Sequence, residues 1–230
     1  TAVGGLTAAQ MTALDPTAMG GFKKDQLAGM DATAVGGLTA AQMTALDPTA
    51  MGGFKKDQLA GMDATAVGGL TAAQMTALDP TAMGGFKKDQ LAGMDATAVG
   101  GLTAAQMTAL DPTAMGGFKK DQLAGMDATA VGGLTAAQMT ALDPTAMGGF
   151  KKDQLAGMDA TAVGGLTSAQ MTALDPTAMG GFKKDQVANL DATAVGGMTA
   201  AQMTALDPTA MGGFKKDQLA GMDATAVGGM

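Results

Sequence analysis

The chain has 230 residues, a net charge of −7, 47% hydrophobic residues, 36 Gly, 22 Met and no Cys, His or Trp. It is too apolar for a disordered solvating tail, and its acidity argues against a phosphate backbone or anionic lipid, both of which call for a basic face. No apolar run nears the roughly 18 residues of a membrane span, and the lack of Cys leaves the redox compartment open.

Repetition dominates. The segment from Leu6 to Gly37 recurs every 32 residues in seven units, and each unit divides into four octads, LTAAQMTA, LDPTAMGG, FKKDQLAG and MDATAVGG. Three Asp against two Lys give every unit a charge of −1. Such a period denotes a stack of equivalent units, with no unique cleft. Residues 1–230 therefore read as a single repeat array. The chain starts inside one octad and stops on the first residue of another, with no initiator Met, signal peptide or atypical capping repeat in view. This predicts an excerpt of a longer array, or copies that continue one another end to end.

In the first octad Thr7 is a good helix N-cap. Gln10, three residues on, completes a capping box, and Leu6 and Met11 form a hydrophobic staple. In the second, Asp15 caps, Pro16 takes the first helical position where its missing N–H costs nothing, and Leu14 staples to Met19. Gly20 and Gly21 are expected to end that helix through positive φ. The third octad has Lys23 where a cap belongs, yet keeps the Phe22–Leu27 staple and Gln26. In the fourth, Asp31 caps, Met30 staples to Val35, and Gly36 and Gly37 stop the helix. Helices this short do not stand alone, so they must stack on equivalents in neighbouring coils. The predicted core of each coil is Leu6, Met11, Leu14, Met19, Phe22, Leu27, Met30 and Val35.

The few departures between copies fit this reading. Met198, Met230 and Leu190 are Leu/Met exchanges that conserve volume, as core sites tolerate. Val187 keeps a staple position apolar. Asn189 replaces the Gly that closes the third octad. Asn is the next-best residue for a left-handed C-cap, so Gly29 and its copies are expected at φ > 0. Ser168, within a first turn, is expected on the surface.

The predicted fold is thus all-α, a solenoid of very short helices with four octads per coil. The alternative is a β-solenoid. Against it stand Pro16 after a capping Asp, apolar spacings of five and three rather than two, and the like-charge ladders that strands would stack about 4.8 Å apart.

The beat from Leu6 to Leu14, LTAAQMTAL, resembles the short helical repeats of very large bacterial secreted or surface proteins, many of them labelled adhesin-like or haem-utilisation proteins. The resemblance runs through every octad, although the motif is short. It implies an extended extracellular or cell-surface spacer, with no catalytic residue to carry over. The same nine residues are also similar to the opening of transcription-activator-like effector repeats, with Gly20-Gly21 near the expected spacing. That likeness ends where Gly29, Gly36 and Gly37 would interrupt the long second helix.

No enzyme is expected, because nothing offers a nucleophile beside a base or a His for proton transfer. No cofactor or metal is expected either. Met11, Met19 and Met30 could serve Cu(I), but they occupy core positions. Asp15 and Asp31 could serve Ca²⁺, but they occupy cap positions. Lys23, Lys24 and Asp25 make the one positive edge, read as a solvated face. Thr7, Thr12, Thr17 and Thr33 recur with each coil and could form a flat ice-binding array, although three of them look local to helix starts. The expected role is structural, as a spacer or fibre-forming module. The alternative is a repeated surface for ice, metal or a polymer, with a DNA-reading repeat further behind. The expected partner is another copy, through apolar ends formed by Leu6 and Met11 on one side and Val227 and Met230 on the other.

Overall fold

The computed structural model describes residues 2–229, with side chains from Gly4 onward; Thr1 and Met230 lie outside the described residues. One interior coil, residues 38–69, displays the pattern. An α-helix spans Ala40–Ala45, a 3-10 helix Pro48–Gly53, and two further α-helices Lys56–Gly61 and Ala64–Val67. Among the described residues there is no strand. The fold is all-α with regularly repeated short helices in a solenoid-like stack, and the β-solenoid alternative is excluded.

Contacts divide the chain into two compact units, Thr1–Gly117 and Phe118–Met230. In the first, Lys24–Ala28 packs on Pro48–Gly53 of the next coil, Ala40–Ala45 packs on Pro16–Gly21 of the coil before, and Ala32–Val35 packs on Lys56–Gly61. The second unit repeats the scheme, with Lys152–Gly157 on Pro176–Gly181 and Ser168–Ala173 on Pro144–Gly149. Each helix is therefore held by elements about one coil away in sequence, which supplies the tertiary support its length requires.

The large apolar residues form two sets. In the interior coil, Leu38, Leu46 and Phe54 precede helix caps and are 2–3% exposed, while Met43, Met51, Leu59 and Val67 follow within the helices and are 0% exposed. In the first coil the two sets separate. Met11, Met19, Leu27 and Val35 are fully buried, whereas Leu6, Leu14 and Phe22 are only half-buried. The residues before the caps thus face the preceding coil, and those within the helices face the following one. Met30 and its copy Met62 are each 5% exposed. Ser168 is exposed.

Three expectations need correction. First, among the described residues no Gly or other residue has positive φ. Gly29 closes its helix at φ −89°, ψ −1°. Asn189 is the last residue of the helix Lys184–Asn189, and Leu190 leaves it in an extended conformation. The helices end by tightening: Met62 N–H donates to the Leu59 carbonyl at 3.2 Å, a three-residue closure, before the chain extends. Gly is favoured at this position by space, since a Cβ on Gly61 would lie 3.2 Å from the Ala32 carbonyl oxygen, close enough that the neighbour must yield slightly.

Second, in six of the seven copies the second octad is 3-10 rather than α, and its glycines lie inside the element. Its bonds run three residues back, as in Ala50 N–H to Asp47 O at 3.0 Å and Phe54 N–H to Met51 O at 3.1 Å. Only near the end of the chain does this octad form an α-turn, Pro208–Met211. Third, Met11 is not part of an exposed end; Leu6, Leu14 and Phe22 are what the first coil leaves half-open.

Candidate functional site

The most ordered chemistry of the array is a pair of buried glutamine ladders. In the first octad Thr39 caps Ala40–Ala45. Its N–H donates to Gln42 Oε1 at 2.9 Å, and Gln42 N–H returns a bond to Thr39 Oγ1 at 3.3 Å. The same glutamine then uses Nε2 to reach the coil below, donating to the Met11 and Leu14 carbonyls at 2.7 Å each. Gln74 repeats this on Met43 and Leu46, both at 2.7 Å.

The third octad builds the second ladder. Lys55 offers no side-chain acceptor, so its capping box is half a box: Lys55 N–H donates to Gln58 Oε1 at 2.7 Å. Gln58 Nε2 donates to the Leu27 and Met30 carbonyls at 2.8 and 2.7 Å. The second unit carries the same pair of ladders, for example Gln170 on Met139 and Leu142 and Gln186 on Leu155 and Met158.

Each of these side chains is at most 1% exposed. Both amide hydrogens are used on carbonyls where a helix turns off, one of which, as at Met43, also accepts from the backbone N–H three residues on, and the carbonyl oxygen is used on a helix N-terminus. The capping box foretold only the local half. The signal for the rest lay in the alphabet: Glu serves a capping box as well as Gln, yet the chain has 14 Gln and no Glu. Only the amide has hydrogens to give to the preceding coil.

The predicted carboxylate caps lie where the helices begin. Asp47 Oδ1 accepts from Thr49 N–H at 2.8 Å and from its hydroxyl at 2.6 Å. Asp15 and Asp31 accept from Thr17 and Thr33 N–H, each at 2.8 Å, and Pro16 opens its element. The side-chain and backbone bonds from Thr49 hold the Asp47 carboxyl below the ordinary carboxylate range, and Asp15, Asp79 and Asp175 follow suit. For Asp79, Asp111, Asp175 and Asp207 a smaller pull comes from a lysine, respectively Lys24, Lys56, Lys120 and Lys152.

A pH dependence follows. The folded chain binds fewer protons than the unfolded one across the carboxylate range, so stability rises with pH through that range and is lost as pH falls through the lowered folded values. Melting temperature should be flat near neutrality and drop below about pH 4. Because hydrogen bonds from Thr are the leading cause, added salt should change this little. Thermal melts between about pH 2 and 7 at two salt concentrations check it, and a melting point that rises on acidification would contradict the capping role.

The threonine hydroxyls are largely spent on the protein. Thr44 Oγ1 donates within its helix to Ala40 O at 2.9 Å and across to Gly69 O at 2.6 Å. Thr71 Oγ1 lies 3.1 Å from Gln74 Oε1, and Thr81 Oγ1 donates to Asp79 at 2.7 Å. A shallow depression lined by Lys24, Lys55, Lys56, Asp79 and Thr81 mixes both signs of charge. Among the described residues no three His, Cys, Asp or Glu side chains cluster as a metal site would need. No helix among them is long and apolar enough to cross a membrane.

Fold and bonding together define an all-α, solenoid-like repeat protein whose recurrent chemistry joins coil to coil. No protein-family model matches the chain, and no curated protein matches it.

Proposed function

We infer that the chain is a structural repeat segment, an extended spacer or fibre-forming module of a large extracellular bacterial protein. It acts without catalysis or cofactor, and its partner is another copy of itself. One observation carries this reading. Among the described residues every buried side-chain nitrogen and oxygen has a hydrogen-bond partner, and the partners of the ladder glutamines' Nε2 atoms lie in the adjacent coil. The polar groups that repeat are thus committed to propagating the stack. The bacterial surface origin rests on the resemblance of the octad alone.

A repeated ligand-binding face has less support, since the Thr hydroxyls that would form it are engaged with carbonyl and carboxylate oxygens. A nucleic-acid role has less still at −7.

The test is to delete one coil in register, residues 70–101, and compare the two chains. Small-angle scattering should show the longest dimension falling by about 8–10 Å, one layer of packed helices. Helical content per residue should stay constant, and neither chain should inhibit ice recrystallisation or take up Ca²⁺ or Cu(I). Saturable uptake of a metal, in proportion to the number of coils, would replace the spacer reading with the ligand-binding one.

A further inference from the structure

In a solenoid each repeat ordinarily touches only its neighbours, and stability is a sum of nearest-neighbour terms. The second lysine of the third octad departs from this. Lys24 lies in the coil of residues 6–37 and is exposed. Its ammonium sits over the next coil, with Nζ 3.4 Å and Cε 3.6 Å from where a Cβ on Gly52 would stand. Lys24 and Gly52 line a shallow depression together with Asp79 and Thr81, which belong to the coil after that. Lys56 over Gly84, Lys120 over Gly148 and Lys152 over Gly180 repeat the placement, each with Nζ at 3.4 Å.

Backbone needs do not account for Gly52. Its φ is not positive. A Cβ there would lie 3.4 Å from the Ala77 carbonyl oxygen, an ordinary contact, whereas one on Gly68, at the same place in the fourth octad, would lie 2.8 Å from the Gly93 carbonyl oxygen. Yet Gly holds the Gly52 position in all seven copies. What a longer side chain would obstruct there is the lysine.

The aspartate at the far side is set apart too. In the coil of residues 70–101 Asp79 is half-buried while Asp89 and Asp95 are exposed, and Asp111, Asp121 and Asp127 repeat this one coil on. Carboxyls of this octad are the ones that feel a lysine, Asp79 from Lys24 and Asp111 from Lys56 in the first unit, Asp175 from Lys120 and Asp207 from Lys152 in the second. At Asp95 and Asp127 the lowering comes from hydrogen bonds alone.

We propose that Lys24 and its copies are straps: each runs over a glycine of the next coil and attracts the aspartate cap of the second octad two coils on, so that coupling along the stack reaches beyond nearest neighbours. The stem lies along the surface and the charged head stays in water, as lysine allows. One such attraction between solvated groups is weak. Its effect comes from recurrence. A coil that opens releases the strap that crosses it as well as the one it anchors, so unfolding becomes more cooperative. The inference goes beyond the structural reading above and holds whether the stack serves as a spacer or as a binding face.

The experiment uses the full chain at about 10 mM and about 1 M NaCl. One form carries Lys24→Met, Lys56→Met, Lys120→Met and Lys152→Met. Its control carries Lys23→Met, Lys55→Met, Lys119→Met and Lys151→Met, the exposed neighbours in the same octads, so the change in net charge is identical. At low salt the strap form should melt roughly 2–10 °C below the control and over a wider range, given couplings of the size exposed pairs show. High salt should shrink the gap. On a background of Asp79→Asn, Asp111→Asn, Asp175→Asn and Asp207→Asn the two lysine sets should melt alike, with the caps kept because Asn caps as well as Asp. The single variants Lys56→Met and Lys55→Met carry the same comparison at one strap, with a smaller difference.

Equal melting of the strap and control forms at low salt, a gap that salt leaves unchanged, or a gap that survives the Asp→Asn background would each overturn the proposal. None of these outcomes touches the spacer reading. That reading fails separately, by ligand uptake in the coil-deletion comparison.

Discussion

Gln74→Glu is expected to cost about 3–5 kcal/mol near neutral pH, although it exchanges one atom for another of nearly equal size. Gln74 is 1% exposed. Its Nε2 lies 2.7 Å from both the Met43 and the Leu46 carbonyl oxygens. A carboxylate there would keep the bond from Thr71 N–H and face two oxygens with no hydrogen between. Burial and the opposing carbonyl dipoles push such a carboxyl's pKa up, so it prefers to be protonated and donate one bond. The penalty therefore grows as pH rises through the unfolded value, near 4.3, and shrinks below it.

This sign is opposite to that of the aspartate caps, so the quantity to follow is the difference between variant and parent, measured by denaturant unfolding at about pH 4 and pH 7. Gln74→Met is the uncharged control: it orphans the Leu46 carbonyl at about 1–3 kcal/mol, with no pH dependence of its own, while the Met43 carbonyl still accepts from Leu46 N–H at 3.2 Å. Gln10→Glu is the positional control, expected to be nearly silent because Gln10 is exposed. If the variants at 74 and 10 unfold alike at neutral pH, the ladder contributes nothing.

What the octad made legible was everything local. Thr7, Asp15, Pro16 and Asp31 are helix-start residues by chemistry that acts within four positions, so they can be read without knowing what lies above or below. The same holds for the apolar pairs, whose spacing of five follows from the staple. What stayed hidden was set one coil away. Gln10 and Gln74 have the same neighbours in sequence and the same cap, yet Gln10 is exposed and Gln74 is buried. The glycines misled for a related reason. Paired Gly at a helix end is the usual sign of positive φ, and a single sequence does not separate a backbone that needs freedom from one that needs room. The second octad became 3-10 because Asp15, Pro16 and the following turn satisfy each other three residues apart, a choice that neither Pro nor Gly-Gly announces.

Gly53→Ala should cost about 1–3 kcal/mol or more, and the reason is room. A Cβ on Gly53 would collide with the Lys24 carbonyl oxygen of the coil below, and its next neighbours, the Lys24 carbonyl carbon and Cα at 2.9 and 3.1 Å, are backbone as well. Backbone of a packed helix does not swing aside as a side chain does, so the coils must separate. Gly52, one residue earlier, meets the Ala77 carbonyl oxygen and the end of the Lys24 side chain, both at 3.4 Å. Ala there should be neutral or gain up to about 1 kcal/mol by restricting the unfolded chain.

Gly21 decides the cause. It holds the same place in its octad as Gly53, but a Cβ on it would meet nothing within 4 Å. If backbone freedom were the requirement, Ala would harm positions 21 and 53 equally. If stacking is the requirement, Gly21→Ala leaves the melting temperature unchanged and Gly53→Ala lowers it by several degrees. Thermal unfolding of the three single variants separates the two causes, and equal losses at 21 and 53 would restore the conformational explanation that the backbone angles argue against.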